Sequence, residues 1–350
     1  MIVTLTANPS IDRTVELGGT LERGSVLRAR ASSDDPGGKG VNVSRALVAA
    51  GTATLAVIPA ATSDPLLAAL HAHNVPYSAI PIPGPVRTNI TIAEPDGTTT
   101  KINEAGSPLD SDAAAALIQA ISAESADWIV LCGSLPPGLP ANWYAPIVAS
   151  ARRAGRRVAV DTSEEPLLAL AENFPESAPD LLKPNSDELG QLTGTDGRSL
   201  EDAARGGDFW PAASAAHKLV ARGVSRVLVT LGAAGALLVD DRQAWFAAAP
   251  PISPRSTVGA GDCALAGYLI AAQFGADGPG CLQSAVAYGS AAAALPGTTI
   301  PGPGDIDLSS VSVEPLGTLD PTGSTTPAHE LDRSTNAVSS TFATGSKEDS

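Results

Sequence analysis

Residues 256–262 read Ser-Thr-Val-Gly-Ala-Gly-Asp, and an apolar run with helical spacing follows at once through Cys263, Ala264, Leu265 and Tyr268. Small residues at the start of a helix let backbone N–H groups converge on one point, where the helix dipole favours negative charge. Gly259 and Gly261 leave room for a ligand to approach the backbone. Asp262 then sits beside an anion hole, placed to take a proton from a hydroxyl. The chemistry this pairing suits is transfer of a phosphoryl group from a nucleotide to an alcohol. The same residues also read as a Gly-rich loop with a capping aspartate, so the rest of the chain must decide.

A second loop of this kind precedes the helix expected over residues 41–50, whose apolar positions are 43, 46, 47 and 50. It runs Pro36-Gly37-Gly38-Lys39-Gly40-Val41-Asn42 and aims Lys39 and Asn42 at the space over a helix N-terminus. It is not a P-loop, because no Ser or Thr follows Lys39 and the G-x-x-x-x-G-K-[ST] spacing is absent. Asp12 lies just past a first strand over residues 2–7, where open α/β sheets place ligand contacts. Lys183, Asn185 and Glu188 meet at a strand-to-helix junction. Asn185 and Glu188 fit a capping box and fit equally a nucleotide phosphate with hydrated Mg²⁺. Arg87 is either a surface charge on an edge strand or a group that reaches a phosphate.

The elements that must hold these residues alternate. Strands are expected over 53–60, 127–132, 157–161 and 226–230, and helices over 64–73, 111–123, 142–153, 164–172, 212–222, 262–273 and 280–294. Two extended pieces, 86–93 and 98–103, flank a Pro95-Asp96-Gly97 turn and read as a hairpin. Residues 13–35 alternate weakly and suit short exposed strands or a lid. Residues 194–208 read as a polar, Gly-containing stretch, and Leu231 through Val239 as a hairpin-like Gly turn. The pattern indicates a doubly wound, mostly parallel α/β sheet with turns at the strand ends.

Composition narrows the partners. With 43% hydrophobic residues the chain can bury a sizeable core, and a net charge of −15 speaks against a nucleic-acid or anionic-membrane binder. An anionic substrate therefore needs its cations placed deliberately. Cys132, Cys263 and Cys281 are widely spaced with no C-x-x-C pair, as expected of reduced thiols in the cytoplasm. No signal peptide and no transmembrane run is expected. The acidic, Ser/Thr-rich segment 316–350 is expected to be disordered, because it cannot bury enough surface to offset its ordering entropy.

Six stretches together resemble the PfkB/ribokinase family of sugar kinases, in the family's order and over residues 1 to about 304. They are 8–12, 36–42, 133–138, 183–188, 230–236 and 256–262, and the likeness is greatest to the family's hexose-phosphate branch. The resemblance implies a ribokinase-like fold over 1–315 with a small β-sheet lid made from about 13–30 and 86–103. It implies Asp262 as catalytic base, with the amides of Gly259, Ala260 and Gly261 as the anion hole. Asp12, Gly37, Gly38, Asn42 and Ser134 are then expected at the sugar, and Lys39 and Arg87 at the phosphate it already carries. Lys183, Asn185, Glu188, Thr230, Gly232, Gly235 and Gly261 fall to ATP, and Glu188 to Mg²⁺ through water. The activity implied is ATP-dependent phosphorylation of fructose 1-phosphate at its 6-hydroxyl, in a cytoplasmic homodimer joined through the lid. The alternatives are tagatose-6-phosphate or fructose-6-phosphate phosphorylation by the same residues, or a non-catalytic sugar-phosphate sensor. Ala294-Leu295-Pro296 departs from the hexose-phosphate pattern, which often has Asn near the end of the penultimate helix.

Overall fold

A computed structural model describes residues 1–319 and 325–327. The chain enters on β1 (Ile2–Thr6), forms β2 (Ser10–Leu17) and β3 (Ala29–Gly37), and turns into α1 (Lys39–Ala49). It continues through β4 (Thr54–Ala60), α2 (Pro65–Ala72), β5 (Tyr77–Pro81), β6 (Arg87–Ala93), β7 (Thr99–Asn103) and α3 (Ser111–Ala123). Next come β8 (Trp128–Cys132), α4 (Tyr144–Arg153), β9 (Arg157–Asp161), α5 (Glu164–Glu172), β10 (Leu181–Leu182), α6 (Ser186–Thr193), α7 (Gly197–Arg205) and α8 (Trp210–Val220). The last elements are β11 (Arg226–Thr230), β12 (Gly235–Val239), β13 (Gln243–Ala248), α9 (Ala260–Gln273), α10 (Gly278–Ala293), β14 (Val313–Leu319) and β15 (Thr325–Pro327).

The main sheet runs β15-β14-β13-β12-β11-β10-β9-β8-β1-β4-β5. It is parallel from β5 to β11 and antiparallel beyond. Strands β1, β4, β8 and β9 are buried nearly throughout, as helix-covered parallel strands must be. Ile2, Trp128 and Val130 join a cluster with α1, α9 and α10, while Val3, Leu5, Ile129 and Leu131 join one with α3, α4 and α8. Each large side chain buried this way contributes about 1.5–3 kcal/mol over its exposed state. The strand order reverses beside β1, which has β4 on one side and β8 on the other. That reversal opens a crevice at the carboxyl ends of β1 and β8, where ligands bind in open α/β sheets.

A separate sheet, β3-β2-β6-β7, stands over this crevice. The hairpin expected around Gly97 is present, with β6 and β7 antiparallel. The lid differs from the expected 13–30 piece: the strands are residues 10–17 and 29–37, and the residues between them form no strand. Most of β3 is exposed, so burial leaves no alternation in its sequence to read.

Two further expectations need correction. Residues 194–208 contain α7, whose short apolar stripe buries Leu200 and Ala204 within an otherwise polar helix. The expected boundary at residue 315 falls inside β14, which pairs with β13, and most of 316–350 lies outside the described residues. All three cysteines are free and buried, and no helix among the described residues is long and apolar enough to cross a membrane.

Candidate active site

Helix α9 begins on Gly259, which holds a left-handed φ of 78° and gives its helix no side-chain cap. The amides of the first turn are left for a ligand, since the first N–H groups of a helix have no partner within it. Asp262 sits in that turn and is only 7% exposed. Helix α1 begins the same way, on Gly38 with φ of 103° and no side-chain cap. The two starts meet where Asn42 Nδ2 donates to Asp262 Oδ2 at 2.9 Å. Gly37 is required by its neighbour, because a Cβ there would lie 2.3 Å from the Asp12 carboxylate. Asp12 is held in turn by Ser10 Oγ at 2.7 Å and Asn89 Nδ2 at 3.0 Å, bridging β2 and β6 of the lid.

Beneath the two helix starts lies a buried ionic group. Asp161, at the end of β9, is 1% exposed, with Lys39 Nζ 2.6 Å from Oδ1 and Lys183 Nζ 3.0 Å from Oδ2. Burial opposes the Asp161 charge, but Lys183 and Lys39 outweigh it and hold the carboxyl below its ordinary range. Burial also opposes the Lys39 charge, yet Asp161, Asp262 and Glu188 together hold that ammonium above its ordinary range. Asp262 goes the other way. Burial, reinforced by the Asp161 charge, pushes it up to about 6, against the pull of Lys39, Asn42 and Lys183. A carboxylate tuned close to neutrality is suited to general-base work.

Lys183 reaches the α9 start directly: a Cβ on Gly261 would lie 3.3 Å from its Nζ. Past it, Asn185 and Glu188 form the capping box of α6, with Glu188 N donating to Asn185 Oδ1 at 2.8 Å and Asn185 N to Glu188 Oε2 at 2.9 Å. The box leaves Glu188 Oε1 and Asn185 Nδ2 outside it. Burial raises the Glu188 pKa, and Asp161 adds to the rise. Thr230 pairs with Asn185 through an isolated parallel bridge, so the end of β11 lies beside this junction. Gly232 and Gly235 follow in the turn into β12. Gly235 has a structural duty there, since a Cβ would lie 2.0 Å from the Ala247 carbonyl oxygen.

On the other side, a cleft of about 620 Å³ is lined by Asn8, Arg87, Ser134, Leu135 and Glu164 among others. Asn8 and Ser134 stand just past the ends of β1 and β8, at the reversal of strand order. Arg87 Nη1 donates to the Glu104 carbonyl at 3.3 Å, while Nε is buried without a partner. Burial lowers the Arg87 pKa, with Asp12 opposing.

The structure thus brings Asp262, Gly259, Ala260, Gly261, Asn42, Lys39, Lys183 and Glu188 to one centre. Asp12 with Gly37 and Gly38 forms its lid side, and Arg87 with Ser134 the adjoining cleft. Lys39 is paired within the ionic group around Asp161, and Arg87 lines the cleft. Sequence reading missed Asp161 and Arg45. A carboxylate ending a parallel strand is the same signal that picked out Asp12, and it applies to Asp161 as well. Nothing in the sequence marks Arg45.

Residues 5–304 match the pfkB family carbohydrate kinase domain. A 1-phosphofructokinase of Rhodobacter capsulatus is 38% identical over 309 residues, 86% of this chain and 93% of that protein. An ATP-dependent 6-phosphofructokinase isozyme 2 of Escherichia coli is 32% identical over 304 residues, 85% of this chain and 94% of that protein. The crystal structure of phosphofructokinase-2 from Escherichia coli, in complex with substrates and products, superposes with a TM-score of 0.78 at 30% identity. That match covers 87% of this chain and 96% of the other.

Proposed function

Because this chain belongs to the pfkB family of carbohydrate kinases, we propose that it transfers the terminal phosphoryl group of ATP to the 6-hydroxyl of fructose 1-phosphate. The products are fructose 1,6-bisphosphate and ADP. One observation carries the reading: a buried carboxylate, Asp262, raised to about 6, stands in the open first turn of α9 with Lys183 beside it. Asp262 takes the hydroxyl proton as the oxygen attacks the phosphorus and the bond to ADP breaks. The first-turn amides of α9 and the Lys183 ammonium receive the charge of the transferring group. Such a reaction needs positioning and charge stabilisation, and no covalent nucleophile.

The remaining residues divide by place. Asp12, Asn42 and the Gly37-Gly38 backbone hold sugar hydroxyls under the lid. Arg87 takes the phosphate already on the sugar, with Ser134 beside it, while Lys39 keeps Asp161 neutralised next to the base. Asn185, Thr230, Gly232 and Gly235 border the nucleotide. Glu188 suits hydrated magnesium, because Mg²⁺ retains water and needs one or two carboxylate oxygens plus substrate phosphates. Bound there, the ion would neutralise nucleotide phosphate charge. The lid supports a homodimer reading, since Val26 is 91% exposed in the β2–β3 connection and Ile102 52% exposed on β7. Free buried thiols favour a cytoplasmic setting.

The preference for fructose 1-phosphate rests on the higher identity to the 1-phosphofructokinase relative, 38% against 32% for the 6-phosphofructokinase. Fructose 6-phosphate or tagatose 6-phosphate is the second reading, favoured by the likeness to the 6-phosphofructokinase. ADP release measured with MgATP against these three sugar phosphates and free ribose decides between them. A clear preference for fructose 1-phosphate is expected, and turnover of ribose alone would overturn the phosphate-site assignment. Arg87→Ala is expected to raise KM for the sugar phosphate about 10- to 100-fold, as for a lost charge-assisted hydrogen bond, with kcat changed far less.

A further inference from the structure

Asp262 is held by Asn42, and Asn42 is held by a residue that touches neither the cleft nor the ionic group. Arg45 lies one turn further along α1, 6% exposed. Its Nη1 donates to Asn42 Oδ1 at 3.3 Å and to the Pro36 carbonyl at 3.2 Å, and Nη2 stands 3.7 Å from Asp35 Oδ1. Pro36 and Asp35 belong to lid strand β3. A guanidinium only donates hydrogen bonds. The Asn42 atom that faces Arg45 must therefore be Oδ1, and the amide then presents Nδ2, a donor, to Asp262. A carboxamide rotated the other way would set its oxygen against the carboxylate.

Burying a guanidinium is unfavourable unless it is well paired. Arg45 is not: its nearest carboxylate oxygen is 3.7 Å away and its Nε has no partner. Ion pairing does not explain why this position carries a cation, but the orientation of Asn42 does. We propose that Arg45 is a positioning residue that fixes the Asn42 amide toward Asp262 and ties that orientation to lid strand β3. This rests on the reading of Asp262 as the base.

The charged and titratable groups around Asp262 are Lys39 on α1, Cys132 at the end of β8, Asp161 at the end of β9, Lys183 after β10 and Cys263 on α9, with Arg45 of α1 and Tyr288 of α10 beyond Cys263. The test is the pH dependence of kcat/KM. Removing the oriented donor weakens the ionised form of Asp262, so in Arg45→Met the acid limb is expected to move up by about one unit, the worth of one hydrogen bond to a charged group. In Asn42→Ala the limb is already moved, and adding Arg45→Met moves it no further. Equal shifts in both backgrounds would mean that Arg45 acts only through its charge and would overturn the proposal, as would an unmoved limb with only a lower Tm. Should Arg45→Met fail to fold, Arg45→Lys keeps the charge while its ammonium ends one atom short of Nη1. The limb is expected to move the same way, and a limb left in place overturns the proposal. Asp262→Ala separates the two claims: retained activity removes the base itself, whereas loss of activity with a limb indifferent to Arg45 removes only the positioning role.

Discussion

Helix N-termini in this fold come in two kinds. Helices α2, α3, α6, α7 and α10 close their own first turns with Asp64, Asp110, Asn185, Asp196 and Asp277, each side chain accepting from an amide two or three residues on. Helices α1 and α9 start on Gly38 and Gly259 and carry no side-chain cap. Of the others, α4 and α8 are entered from residues already helical, and α5 starts at Ser163 on the edge of the cleft. A capped terminus has spent its donors on the fold. An uncapped one keeps them for whatever arrives, at a cost in stability of about a few tenths of a kcal/mol where the cap position is glycine. The two glycine starts are also the ones that face each other across Asn42 and Asp262, so the fold leaves its donors unspent at the proposed site of phosphoryl transfer.

Removing the carboxylate from the open terminus should have the largest effect. Asp262→Asn is expected to lower kcat by about 10³-fold, the usual scale for a general base. It should also raise Tm at neutral pH. The folded-state pKa of about 6 lies above the ordinary aspartate value, so the wild-type side chain loses stability as pH rises through that interval. The variant escapes the loss, and its Tm advantage should be full above pH about 6 and vanish near pH 4. Thermal melts across pH 4–8 check this, and a variant less stable than wild type at pH 8 would contradict the assignment.

Closing the open terminus is the next step down. Gly259→Asn places a carboxamide beside the open first turn of α9. Asn tolerates the left-handed backbone at φ of 78°, and a Cβ there meets no atom within 4 Å. The variant should fold with a Tm close to wild type while its carboxamide competes for the first-turn amides. A loss of about 10²-fold in kcat is expected, comparable to losing one oxyanion-hole donor. Unchanged kinetics would mean those amides are not used.

What was legible in the sequence follows the same division. The glycine starts of α1 and α9 could be read because each motif is local: small residues, then a polar residue, then an apolar helical run. The strands β9 and β11 and the helices α3 and α5 match their expected ranges because burial on both faces, or one apolar stripe, leaves a clear pattern. The Asp161 pairing with Lys39 spans 122 residues and with Lys183 another junction, and no local pattern announces an ion pair made by convergence. Helix α7 went unread because two buried residues are too short a stripe to stand out in a polar segment.

The smallest effect is expected at a closed terminus, and it tests the other half of the comparison. Asp277 caps α10 by accepting from Gly280 N at 2.9 Å, at the end of the helix remote from Gly289, which packs on the α9 start. Asp277→Ala should lower stability by about 1 kcal/mol, the cost of a lost cap. Denaturant titration should show the lower midpoint with an unchanged slope. kcat and KM should stay at wild-type values, because the amides it frees face no ligand. A kinetic change there would mean that α10 transmits strain to α9, and open and closed helix starts would no longer separate function from fold.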